Sequence, residues 1–133
     1  YAVDPAMFGA FSPASALDQG QRLETAVFNA LRRRTPAVRV GSVCRLLVKE
    51  KNKSHEVDFV AGDALLMQAY SLTQVSVDMA SEKTRERENA ALDASMAQFD
   101  LGESVIVTMD EQADIPCEHG VVHAVPAWKW LLA

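Results

Sequence analysis

At 133 residues, with 49% hydrophobic and 23% charged side chains, the chain has material for one domain with a sizeable core. Its longest apolar runs are only a few residues and its start lacks the basic, apolar and small-residue order of a signal peptide, so neither a spanning helix nor a secretory leader is expected and the cytoplasm is the expected compartment. A net charge of −5 argues against indiscriminate nucleic-acid binding, and two cysteines, Cys44 and Cys117, are too few for a disulfide scaffold and fit a reducing compartment.

Taken in order, Tyr1-Ala2-Val3-Asp4-Pro5 reads as a short strand entered from upstream, and a chain that starts without methionine is expected to be the C-terminal part of a longer polypeptide. Residues 14–34 have helical period, with Leu17, Gly20, Val27, Phe28 and Leu31 on one stripe. Glu24 falls within about 60° of that stripe, so its carboxylate faces the core side and calls for a metal, an arginine such as Arg22 or Arg45, or the stripe's wet edge. Arg32, Arg33 and Arg34 close this helix, where cations complement the C-terminal dipole, and Thr35-Pro36 stops it. The same three arginines are the candidate nucleic-acid contacts, because residues 1–53 carry nine basic and four acidic side chains against four and fourteen in residues 54–133.

Residues 38–49 predict a long strand, and 49–53 a polar turn. The next segment, His55-Glu56-Val57-Asp58-Phe59-Val60, alternates so that Glu56 and Asp58 share one face. With Gly62-Asp63 as the turn, residues 65–71 form the partner strand and Leu66, Gln68 and Tyr70 share a face. Ser81 is a candidate N-cap for a helix over 82–99, stopped by Leu101-Gly102. Residues 104–109 read as a strand covered on both faces, as in a parallel pair joined by a crossover helix. An acidic connection over 110–120, a strand over 121–125 and a short helix begun by Pro126 complete the chain. Trp128 and Trp130 cannot share a helix face, so one belongs to the core and the other outside it. The whole predicts an α/β domain with a mixed central sheet flanked by helices.

A helix Glu, a strand Asp and a polar residue on the next strand form a plausible site for a hard divalent cation such as Mg²⁺ or Mn²⁺. Cys117, His119 and His123 have ligand-like spacing but no fourth partner, and read better as loop and edge residues. Thr84-Arg85-Glu86-Arg87-Glu88 offers helical ion pairs, Glu82 to Arg85 and Arg85 to Glu88, or arginines that reach Asp58 or Glu24 and neutralise a vacated metal site.

Helix Glu24, strand Glu56-Val57-Asp58 and a hairpin partner strand resemble the PD-(D/E)XK, or restriction-endonuclease-like, nuclease fold. More closely, the Tyr1-Ala2-Val3-Asp4 start, Leu23-Glu24-Thr25-Ala26-Val27-Phe28 with Leu31-Arg32-Arg33, Glu56-Val57-Asp58-Phe59-Val60, Gln68-Ala69-Tyr70-Ser71-Leu72 and Thr84-Arg85-Glu86-Arg87-Glu88 are similar to the uncharacterised C-terminal domain of prokaryotic AAA-type ATPases. The resemblance implies a bacterial ATP-binding parent, with the ATP site in an upstream domain and that domain as a partner in the same chain. It implies Glu24 and Asp58 as metal ligands, and Glu24, Asp58 and Gln68 as vestigial catalytic positions. Gln68, or Met67 if the strand slips, stands where a nuclease has its next carboxylate, and Tyr70 or Ala69 stands where it has lysine. Amide oxygen is a neutral ligand and a phenol ionises near pH 10, so neither replaces those roles at neutral pH; Lys49, Lys51, Lys53 and Lys83 are the migrated substitutes. The expected function is a non-catalytic, degenerate nuclease-like accessory domain that binds DNA or a protein partner, with a metal-dependent DNA endonuclease as the alternative.

Overall fold

The computed structural model describes residues 3–4, 16–35, 43–50, 53–63 and 65–133, apart from the side chains of 16–18, 50 and 53. Of the expected first strand only Val3 and Asp4 are described, as a bend and not a strand, and the proline stop after the first helix and the start of the 38–49 strand lie outside the described residues. Elements run α1 (Ala16–Arg34), β1 (Val43–Glu50), β2 (Lys53–Asp63), β3 (Gln68–Ser76), α2 (Glu82–Phe99), β4 (Glu103–Thr108), β5 (Ala113–Pro116), β6 (Val121–Pro126) and α3 (Ala127–Leu132). They form one six-stranded mixed sheet in the order β1-β2-β3-β4-β6-β5 with helices packed on it, an α/β architecture. Strands β1, β2 and β3 are antiparallel neighbours, while β3, β4 and β6 run parallel. No described helix is long and apolar enough to cross a membrane.

Two apolar layers sandwich the sheet. Under α2, Ala91, Leu92 and Met96 pack with Val57, Val60, Leu72, Met79, Ile106 and Val122. On the opposite side, Leu23, Val27 and Leu31 of α1 meet Val43, Phe59, Ala61 and Val107, with Phe28 tilted against Phe59 at 6.0 Å between ring centroids. Alternating side chains of β4 enter opposite layers, which is what the unbroken apolar run 104–109 predicts for a strand joined by a crossover helix. Trp130 packs against the α1 layer under the Arg34 guanidinium, 4.3 Å from its ring centroid, whereas Trp128 is exposed.

Three local expectations change. Ser81 occupies the N-cap, but its side chain makes no cap bond; the helix starts from its carbonyl, which accepts from Arg85 N at 3.0 Å. Asp100, not glycine, adopts the left-handed cap conformation (φ 55°), and the chain turns out of α2 with Leu101 N donating to Met96 O. The acidic connection contains an additional strand, β5, which pairs antiparallel with β6 from Ala113↔Ala124 to Pro116↔Val121. It is a short edge strand that ends in proline and is mostly exposed, so it carries almost no apolar alternation to betray it. Gly120 closes this hairpin: a Cβ there would collide with the Gly102 carbonyl, which accepts Val121 N at 3.0 Å.

Candidate functional site

Strand β2 does not alternate strictly. Its pairing with β1 passes from Cys44↔Val60 to Leu46↔Val57, so Arg45 alone faces both Asp58 and Phe59. This one-residue bulge sends Val57 and Val60 into the α2 layer and Phe59 and Ala61 into the α1 layer, with Asp58 at the crossing point. Next to it, the β2–β3 ladder stops at Phe59↔Thr73. Beyond that pair the side chains complete the hydrogen bonds: Asp58 N donates to Gln74 Oε1 at 3.0 Å and Val75 N donates to Asp58 Oδ2 at 2.9 Å. The reciprocal exchange satisfies two backbone donors at the point where the strands part.

The parted strands open a cleft of about 450 Å³ lined by Glu24 from α1, Glu56 and Asp58 from β2, Gln74 from β3, and Arg87 and Glu88 from α2. Glu24 reaches it from the wet edge of its stripe, 30% exposed, with Arg45 Nη2 at 3.7 Å. Arg45 Nη1 also pairs with Glu56 at 2.9 Å. The Glu88 carboxylate, 8% exposed, pairs with Arg87 Nη2 at 2.6 Å. Among the described residues Asp58 has no such counter-ion at contact distance, and its pKa rises from 3.8 to about 6. Burial is the main cause; the Val75 amide opposes it, Glu24 and Glu88 add to it by repulsion, and Arg45 offsets part.

The structure therefore brings Glu24 and Asp58 together, as expected, but not Gln68. Gln68 is exposed at the far end of the hairpin opposite Asp63, about five ladder positions or roughly 17 Å from Asp58. The reason is the turn. Leu65, Leu66 and Met67 form it, with Asp63 Oδ1 accepting from Leu65 N and Leu66 N and Met67 at φ 53°, so the hairpin centre lies beyond Gly62-Asp63. The register Phe59↔Thr73, continued by one step, sets Gln74 against Asp58. Gln74 is 6% exposed within the buried stretch Leu72 to Gln74, but polar Thr73 and Ser76 flank it in the same strand, so the sequence does not single it out. Glu88 was detectable by the same stripe test that flagged Glu24, because Ala91, Leu92 and Ser95 follow it at helical spacing and all are buried.

The remaining candidates lie elsewhere. Arg32, Arg33 and Arg34 end α1 on the exposed surface, and Arg34 is tied to Trp130 by stacking and by donating Nη2 to its carbonyl at 2.6 Å. Arg85 does not pair with Glu82 or Glu88; it donates to Met79 O at 2.9 Å and lies 3.9 Å from Glu111. Tyr70 is the extra residue of a second irregularity, between Ala61↔Ser71 and Gly62↔Ala69, and is 63% exposed. Cys117, His119 and His123 do not converge: His123 pairs with Asp114 at 2.7 Å and His119 with Asp93 at 3.1 Å. No lysine lines the cleft among the described residues; Lys51 and the side chain of Lys53 fall outside them.

As a Mg²⁺ or Mn²⁺ site, the donor set does not fit as it stands. Gln74 Oε1 and Asp58 Oδ2 each hold a backbone amide, and Glu24 and Glu88 each hold an arginine. Among the described residues, Glu24 is the least tightly held of this set, with Arg45 at 3.7 Å and no hydrogen bond to either carboxylate oxygen. No family model, no curated protein and no solved structure matches this chain.

Proposed function

We propose that the chain is a nuclease-like accessory domain that works by binding DNA or a protein partner, not by cleaving phosphodiesters, within a prokaryotic ATP-binding polypeptide. One observation carries this reading: two of the acidic groups of the cleft are already paired from within the fold, Glu24 with Arg45 and Glu88 with Arg87. Phosphodiester cleavage of this type needs carboxylates free to hold a cation against the developing charge and a group to activate water. Here the Gln74 amide is a strand clamp, and the described residues of the cleft offer His55 but no lysine for the second task. The resemblance to the restriction-endonuclease-like fold is supported by the order of a helix, three antiparallel strands, a crossover helix and a parallel strand, with both acidic positions on one cleft.

A second reading, a Mg²⁺- or Mn²⁺-dependent DNA endonuclease, is favoured by the raised pKa of Asp58, which marks a site short of positive charge. Arg45 and Glu24 are both partly exposed and 3.7 Å apart, so a cation displaces this arginine at a cost of about 1 kcal/mol or less. Calorimetric titration with Mn²⁺, run beside a nicking assay on supercoiled DNA, separates the two. The accessory-domain reading expects no nicking above background and no Mn²⁺ binding that depends on Asp58. Nicking that disappears in Asp58→Ala, together with loss of tight Mn²⁺ binding, overturns it.

A further inference from the structure

A second constellation lies outside the cleft, where α2 meets the β5–β6 hairpin. Asp93 projects from α2, and Glu118 and His119 sit in the hairpin turn, which is fixed by Cys117 N donating to Gly120 O at 2.8 Å. One donor atom from each of Asp93, Glu118 and His119 lies within 4.8 Å of the other two. The three also line a groove of about 640 Å³ that continues past Lys49, His55 and Gln98.

The placement of Asp93 is specific. His119 N donates to Asp93 Oδ1 at 2.8 Å, which anchors that oxygen, while Oδ2 stands 3.1 Å from His119 Nδ1. That separation is close to the roughly 3.4 Å edge of a tetrahedron whose ligands stand about 2.1 Å from a central ion. The pair joined by this hydrogen bond thus has the spacing of one edge of a coordination shell. Glu118, whose donor atom lies within 4.8 Å of the other two, reaches the shell by a rotamer adjustment of an exposed side chain on a turn. The groove gives a fourth, solvent ligand its place.

We propose that Asp93, Glu118 and His119 form a Zn²⁺ site that clamps α2 to the β5–β6 hairpin. One imidazole nitrogen with two carboxylate oxygens is a borderline donor set, which favours Zn²⁺ over Mg²⁺ or Ca²⁺, whose shells are all oxygen. The two carboxylates balance the charge of the ion. The proposal is independent of the reading of the cleft, since no residue of this set takes part there.

Titration of the full chain with ZnCl₂, followed by calorimetry and by thermal unfolding, tests it, with Co²⁺ as the spectroscopic substitute. A single saturable site is expected, with an upward shift in Tm on Zn²⁺ addition. Asp93→Asn, Glu118→Gln and His119→Ala should each weaken binding at least about tenfold. Cys117→Ser and Asp58→Asn should leave it unchanged, and the Co²⁺ complex should show visible d–d bands without a thiolate charge-transfer band. Because Glu118 is exposed, its variant keeps the test valid even where a change at Asp93 disturbs folding. The absence of saturable binding, three variants that bind as tightly as the parent, a thiolate band, or loss of binding in Asp58→Asn each overturn the proposal.

Discussion

Replacing Asp58 by Asn should make the domain more stable at neutral and alkaline pH, and the gain should vanish in acid. In the native state this carboxyl titrates at about 6 against 3.8 for the unperturbed group, so the folded protein binds its proton more tightly than the unfolded chain does. Stability is therefore fully present below pH 3.8, falls as pH rises between the two values, and levels off above the native pKa. A difference of about 2 units corresponds to about 3 kcal/mol above pH 7, and solvent on the cleft side lowers the working figure to about 2 kcal/mol. Asparagine removes the charge while its amide oxygen still accepts from Val75 N, so the strand junction survives the change. Urea unfolding followed by circular dichroism at pH 4.5 and pH 8 measures the effect. The advantage of the variant should grow by about 1–2 kcal/mol between those conditions. A pH-independent difference, or a variant less stable than the parent at pH 8, would refute the account of a desolvated carboxylate repelled by Glu24 and Glu88.

Two further outcomes follow from the hairpin registers. Gln74→Ala removes the acceptor of Asp58 N and should cost about 1–3 kcal/mol in chemical denaturation, whereas Gln68→Ala, at the exposed hairpin end, should stay within about 0.5 kcal/mol. Gly120→Ala forces a Cβ into the Gly102 carbonyl and should lower stability by at least about 2 kcal/mol, while Gly102→Ala, whose Cβ meets nothing within 4 Å, should be nearly neutral in the same thermal-unfolding assay.

Much of the α/β plan was readable because its signals are strong and local. The helical stripes of α1 and α2 and the unbroken apolar run of β4 follow directly from hydrophobic period, and the crossover rule supplies the parallel pairing of β3 with β4. Glu24 and Asp58 were identifiable because a carboxylate on an apolar stripe or strand is costly unless something receives it. Their partner was not, because strand register is set by the turn and by bulges, and both are weakly written. Gly62-Asp63 carries the stronger turn signal, yet Leu65, Leu66 and Met67 make the bend, and moving the hairpin centre by about three residues moves the facing residue by about six. The bulge at Asp58 leaves no composition mark at all, since it depends on how Arg45 meets two residues at once. Edge strand β5 escaped for the complementary reason: its residues are mostly exposed, so pairing with β6 rather than burial defines it.

The crossing of layers within four consecutive residues of β2 bears on how this molecule opens. Val57 and Val60 belong to one apolar layer and Phe59 to the other, so neither helix can leave the sheet without disturbing the same short segment. Local openings that expose only one face are thereby suppressed at β2, and the amides of Val57, Phe59 and Val60 should exchange with solvent deuterium only through global unfolding. By contrast, the hairpin end at residues 65–68 is exposed and should exchange by local fluctuation. A strand irregularity placed beside the cleft thus couples the cleft floor to both apolar layers.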